Sequence, residues 1–138
     1  MAILPRKTYK KIEWHLYHYQ QLKEEIKVKK EDVILAADYS YSAGAVQSGG
    51  TGDRTGNAVL KMDELKNQEA WCEVVEKTMG KYEGSELGQV LCLAYMQKRR
   101  PGEICDKLHI DRSTFYKWRK EIITYAAMRA YGKNLISV

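Results

Sequence analysis

The stretch PGEICDKLHIDRSTFYKWRKEI, Pro101 to Ile122, decides the fold. Helix-forming residues continue to Leu108, the three residues HID at positions 109–111 interrupt them, and helix-forming residues resume at Arg112. Asp111 stands where the N-cap of the second helix is expected, so its carboxylate can accept the first amide hydrogens of that helix. A three-residue connection is too short for antiparallel packing. It predicts two helices that cross steeply, as in a helix-turn-helix.

The second of these helices has two faces of different chemistry. Phe115, Trp118 and Ile122 recur at intervals of three and four residues, which predicts a buried face. The opposite face has hydrogen-bond donors and positive charge, which suit base edges and phosphates in a major groove. The predicted DNA-binding residues are Arg112, Ser113, Thr114, Tyr116, Lys117 and Lys120 on this helix, and Lys98, Arg99 and Arg100 before the motif. The last three are placed to contact backbone phosphates.

Charge is distributed unevenly along the 138 residues. Residues 98–138 contain ten Lys and Arg against four Asp and Glu, whereas residues 1–97 contain 13 against 14. The formal net charge of +5 is therefore concentrated in the last third of the chain, which favours a polyanionic partner such as nucleic acid. A helical hairpin with a solvated basic face would have the same composition and is the alternative interpretation.

The remainder of the sequence predicts helices and loops, and therefore an all-α fold. Residues 6–30 form a long predicted helix with a continuous apolar stripe. Five of the ten glycines lie in residues 39–57, which predicts a flexible loop. Further helices are predicted over 57–79 and 86–98. We expect a helical region over residues 1–80, a helix-turn-helix domain over 85–138, and independent folding of residues 57–138.

Several classes of function lack their sequence signature. The glycine-rich segment has no GxxxxGK[ST] motif, so no nucleotide cofactor is expected. His15 and His18 have no further metal ligands nearby in sequence, and no pair of carboxylates is arranged for catalysis, so we expect neither a metal site nor an enzyme. The three cysteines are predicted to be free, buried thiols of a cytoplasmic protein. The longest apolar run, VLCLAYM, is too short to span a membrane.

The segment GEICDKLHIDRSTFYKWRKEII resembles the C-terminal helix-turn-helix of sigma factors, which reads the −35 element. It is most similar in type to phage-encoded transcriptional regulators of the RinA/ArpU type, which share that sigma-like end. The N-terminal IEWHLYHYQQLKEEI and the Gly/Ser-rich segment after it also resemble that group. The resemblance implies a phage or prophage DNA-binding regulator that activates late genes in the cytoplasm of a bacterial host.

Two other functions and several partners follow from the same sequence. A sigma-like module could bind host RNA polymerase without reading bases, and a small terminase subunit also combines a DNA-binding unit with oligomerising helices. The C-terminal position of the motif argues against the terminase. The expected partners are double-stranded DNA, host RNA polymerase and a second copy of the chain. Self-association is expected because Trp14, Tyr17, Tyr19 and Trp71 exceed what two helices can bury.

Overall fold

The computed structural model describes the backbone of residues 4–42 and 51–137, and the side chains of residues 4–35 and 62–137. The α-helices are α1 (Arg6–Tyr17), α2 (Tyr19–Ser42), α3 (Thr51–Tyr82), α4 (Glu86–Leu91), α5 (Pro101–Leu108) and α6 (Arg112–Gly132). A π-helical turn, Cys92–Met96, continues α4. None of the described residues forms a strand, and the predicted all-α fold is confirmed.

The helix predicted over residues 6–30 is two helices that meet at His18. The backbone of His18 has φ −101° and ψ 10°, and its N–H bonds to the carbonyl oxygen of Trp14 at 3.0 Å. Its side-chain Nδ1 lies 2.8 Å from the same oxygen. Such a local bond between side chain and backbone competes with continuation of a helix. The apolar stripe nevertheless passes the break, because Leu16 and Tyr19 are both buried.

The loop predicted over residues 39–57 includes residues at both of its ends that are helical in the structure. Helix α2 continues to Ser42, and α3 begins at Thr51 rather than at residue 57. Residues 43–50 lie outside the described residues. Gly52 and Gly56 are therefore inside a helix, although each costs about 1 kcal/mol there relative to alanine. Helices α2 and α3 pack against each other, and tertiary packing of this kind overrides local propensity.

One hydrophobic core joins the two predicted domains. Ile12 and Leu16 of α1 are each 1% exposed and belong to the same cluster as Phe115 and Ile122 of α6. Helix α6 also packs on α3, α4 and α5. A fragment of residues 57–138 would expose the surface that α1 covers. The domain division stays a prediction, and the shared core argues against independent folding.

The aromatic side chains of the N-terminal half are largely used inside the fold. Tyr19 and Trp71 are buried in the core, and Tyr17 is half-buried with its ring edge-on to Tyr95 at a centroid distance of 4.7 Å. Trp14 is 48% exposed. Self-association stays a prediction, but the aromatic surplus that suggested it is reduced to one exposed tryptophan.

The predicted buried face of α6 is confirmed at two of its three positions. Phe115 is 1% exposed and Ile122 is fully buried. Trp118, between them on the same helix, is half-buried and packs against the core only in part. We therefore expect Phe115→Ala to lower the free energy of unfolding by about 3–5 kcal/mol, and Trp118→Ala to lower it by less. Urea denaturation followed by circular dichroism measures both, and equal losses would contradict this packing.

Histidine 15 supplies a pH-dependent contribution to stability. Its ring stacks on Trp71, with 3.7 Å between centroids and 10° between planes. Burial lowers the pKa of His15 and the charge of Lys11 adds to this, against a hydrogen bond to the Lys11 carbonyl. The fold therefore favours the neutral imidazole, a contribution that is fully present above the unfolded pKa of about 6.5 and lost as the pH falls through the lower folded value.

We expect the wild-type protein to lose more stability than His15→Gln when the pH falls from about 7.5 to about 5.5. The reason is that only the wild-type chain must release a proton from this imidazole on folding at low pH, because the folded state favours the neutral ring. Urea midpoints of both proteins at the two pH values measure the difference. Parallel shifts of the two midpoints would show that His15 is not the titrating group.

Candidate nucleic-acid interface

The turn between α5 and α6 is fixed by hydrogen bonds at both helix ends. Helix α5 ends with His109 in the left-handed conformation, φ 56° and ψ 47°. The N–H groups of His109 and Ile110 both bond to the carbonyl oxygen of Cys105, the second at 3.1 Å. Helix α6 then begins at Asp111, whose Oδ1 accepts the N–H of Thr114 at 2.9 Å. The predicted helix boundary and N-cap are confirmed.

The cap is charged at neutral pH. Hydrogen bonding by Thr114, and to a smaller extent by Ser113, holds the pKa of the Asp111 carboxyl below its usual value. The Ser113 hydroxyl donates to the other carboxylate oxygen at 3.2 Å. This bond orients the hydroxyl oxygen of Ser113 as a free acceptor at the exposed start of α6. A negative charge at a helix N-terminus also stabilises the helix, because it lies near the positive end of the helix dipole.

The side chains predicted to contact DNA lie on the exposed side of the first turns of α6. Arg112, Ser113, Tyr116, Lys117 and Lys120 are all exposed, and we call these five residues the basic face. Thr114 is half-buried and uses its amide in the cap, so it contributes to the turn rather than to this surface. The structure thus brings five of the six predicted residues of α6 together.

A second group of cations lies beside the basic face. Lys98, Arg99 and Arg100 are exposed in the segment between the π-helical turn and α5. Arg99 is partly neutralised, because its Nη1 lies 3.6 Å from a carboxylate oxygen of Glu103. A surface groove of about 420 Å³ lies between this segment and α6. It is lined by Arg100, Pro101, Gly102, Glu103, Arg112 and Tyr116.

The side chain of Arg112 lies in this groove. A Cβ added to Gly102 would lie 3.9 Å from Nη2 of Arg112, so the guanidinium reaches back over the start of α5. Arg112 lines the groove together with Arg100 and Tyr116. Both lining arginines are cations, which suits the groove to an anionic group such as a backbone phosphate.

Sequence analysis did not assign Arg119, which links α6 to α1. Its Nε donates to the Tyr9 hydroxyl at 3.2 Å, and its Nη1 lies 3.9 Å from Oε2 of Glu13. Its guanidinium carbon is 4.9 Å from the ring centre of Tyr116. Its position could have indicated these contacts. Arg119 follows Tyr116 by three residues and Phe115 by four, which places it on the border between the exposed and buried faces of the helix.

One family model matches part of the chain. Residues 64–126 match the family model DUF1492, a protein of unknown function. The DUF1492 segment contains most of α3, then α4, α5 and the greater part of α6. It therefore includes the turn, the basic face and residues 98–100, and it excludes α1. No curated protein and no solved structure matches the chain.

The described residues contain no group of three or more His, Cys, Asp or Glu placed to bind a metal ion. No helix in the described ranges has the length and apolar character that crossing a membrane requires. All three cysteines are free, and Cys72 and Cys105 are buried as predicted. Cys92 is exposed on the outer side of the π-helical turn, so the prediction of a buried thiol is wrong there.

The left-handed backbone at His109 predicts a stabilising substitution. A residue with a Cβ is strained in this conformation by about 1–2 kcal/mol, and glycine is not. His109→Gly should therefore raise the melting temperature. The matched control is Lys107→Gly, at an exposed position inside α5, which should lower it. Thermal unfolding of both variants measures this, and a less stable His109→Gly protein would contradict the turn geometry.

Proposed function

We propose that the chain is a sequence-specific DNA-binding protein that places the N-terminal half of α6 in the major groove. The observation that carries the proposal is the basic face itself. Three cations, a tyrosine and a serine lie exposed on one side of the helix, while Phe115 fixes the other side in the core. A helix of a helix-turn-helix contacts base edges with the residues of its N-terminal turns.

The chemistry of the basic face suits bases as well as phosphates. Arg112 and Lys117 can donate to guanine O6 and N7. The Tyr116 hydroxyl can donate or accept, and the Ser113 hydroxyl, which donates to Asp111, can accept. The carboxylate in the same turns belongs to Asp111, and hydrogen bonds within the cap occupy it. Its charge therefore stabilises the helix start and leaves the five side chains free to face the groove.

Residues 98–100 and the groove at the start of α5 support binding of the DNA backbone. Lys98 and Arg100 are exposed there, and Arg100 and Arg112 line the same groove. Cations that flank a recognition helix position the protein on the duplex through its phosphates. Arg99 is expected to contribute less than its two neighbours, because it shares its charge with Glu103.

Beyond DNA binding, we propose that the protein is a phage or prophage regulator that activates late genes in a bacterial cell. This proposal is supported by the resemblance of GEICDKLHIDRSTFYKWRKEII to sigma factors and to regulators of the RinA/ArpU type. The same resemblance makes host RNA polymerase a second proposed partner. A module that binds polymerase without contacting bases would use the same fold but would not distinguish one duplex from another.

Selection of duplexes from a random library with the wild-type protein provides the test. Arg112→Ala and Lys117→Ala are then compared with wild type on the selected duplex and on a scrambled one, at several salt concentrations. Each variant should lose about 1–3 kcal/mol of specific binding if the residue meets a base. A variant that loses a phosphate contact should weaken on both duplexes and have a salt slope smaller by about 1.

Lys27→Ala is the matched control, because it removes one exposed lysine from α2, away from the proposed interface. It should bind both duplexes as the wild type does. Selection that enriches no sequence, together with equal binding by Arg112→Ala, Lys117→Ala and wild type, would refute the proposal.

A further inference from the structure

A half-buried polar network connects α1 to α6 underneath the basic face. Oε2 of Glu13 accepts a hydrogen bond from the Tyr95 hydroxyl at 2.9 Å and lies 3.9 Å from Nη1 of Arg119. The Nε of Arg119 donates to the Tyr9 hydroxyl at 3.2 Å. The side chains of Glu13 and Arg119 are only 18% and 25% exposed. We call Tyr9, Glu13, Tyr95 and Arg119 the Glu13 network.

The inner end of this network is rigid. Tyr95 is fully buried in the π-helical turn. Burial raises the pKa of its hydroxyl far above the ordinary value, and the nearby charge of Glu13 adds to the increase. The hydroxyl therefore keeps its proton and acts as a permanent donor to Glu13. This bond restricts the half-buried Glu13 carboxylate.

The outer end reaches the basic face through Arg119. Its guanidinium carbon lies 4.9 Å from the ring centre of Tyr116 and 5.8 Å from that of Phe115. A cation over an aromatic ring is attracted to the ring face, so the guanidinium supports the Tyr116 ring from the protein side. Tyr116 as a whole is 43% exposed, so its side chain remains accessible to the proposed DNA groove.

We propose that Glu13 and Tyr9 are positioning residues for DNA recognition, which act through Arg119 on Tyr116. This inference rests on the proposed function and names residues that it does not include. Helix α1 lies outside the segment that the DUF1492 family model matches. The geometry therefore assigns part of the sequence preference of this protein to a helix that precedes that segment.

Glu13 holds Arg119 back from the phosphates as well as orienting it. The Arg119 side chain is only 25% exposed, so its charge needs a partner, and Glu13 supplies it. Without that carboxylate, Arg119 would gain by turning outward to a phosphate. Loss of Glu13 should therefore have two opposite effects: weaker preference for the selected duplex, because Tyr116 loses its support, and unchanged or stronger binding to any duplex, because a cation is released.

The test uses the full chain with Glu13→Gln and Tyr9→Phe. The matched control is Glu24→Gln, which makes the same change on the exposed side of α2. Affinities for the selected and scrambled duplexes are measured over a range of salt, beside the melting temperature. Glu13→Gln should reduce the ratio of the two affinities roughly two- to tenfold, as coupled neighbours do. It should leave affinity for the scrambled duplex equal or higher, while Glu24→Gln leaves the ratio unchanged.

A double-mutant cycle identifies the route. In a Tyr116→Ala background, Glu13→Gln should have no further effect on the affinity ratio, because the side chain through which it acts is absent. An undiminished effect in that background would overturn the inference. So would equal weakening on both duplexes with a lower melting temperature, which is the pattern of a purely structural role.

The two proposals fail in different ways. If wild type binds no duplex selectively, the proposed function is wrong. If wild type is selective and Glu13→Gln retains the wild-type ratio, only the role of the Glu13 network is wrong. Tyr9→Phe removes only the hydroxyl that accepts the hydrogen bond from Arg119. It therefore tests the inference even if Glu13→Gln does not fold. Retention of the wild-type ratio by Tyr9→Phe would then overturn the inference.

Discussion

The burial of one face of α6 is the constraint on which the rest of the structure depends. This helix packs on α1, α3, α4 and α5, and Phe115, Ile122 and Ile123 are almost completely buried in it. Toward its C-terminal half, Ala126, Ala127 and Ala130 extend the buried surface, so nearly every neighbour is positioned relative to α6. Its first two turns protrude far enough from this packing to keep five polar side chains exposed. A single helix is thus both the centre of the core and the proposed contact with DNA.

Local sequence rules were sufficient for the turn and its surroundings. Asp111 was predicted as an N-cap because a carboxylate bonds best to amides two or three residues later, and its bond to Thr114 is of that kind. Phe115 and the basic face followed from helical spacing alone. These features depend on residues within about two turns of one another, which is the range over which such rules operate.

Features that depend on residues distant in sequence could not be predicted from these local rules. Arg119 and Tyr9 are 110 positions apart in sequence, and neither pattern nor composition indicates that they meet. Trp118 satisfied the spacing of a core residue but is only half-buried, because its exposure depends on how far the neighbouring helices extend over that side of α6. The start of α3 at Thr51 was missed because the glycines of the local sequence favour a loop there.

The π-helical turn at Cys92–Met96 has a consequence for how the chain leaves the core. A π-helical turn accommodates one residue more than an α-helical turn, and each residue of an α-helix rotates the chain by about 100°. The turn lets Leu93, Ala94 and Tyr95 all enter the core in succession. It also sets the direction in which Lys98 to Arg100 emerge beside α5. Deleting one residue there would restore a regular helix and aim that basic run at a different side of the molecule. The register of this short segment is therefore a geometric link between the packing of Tyr95 and the cations at the protein surface.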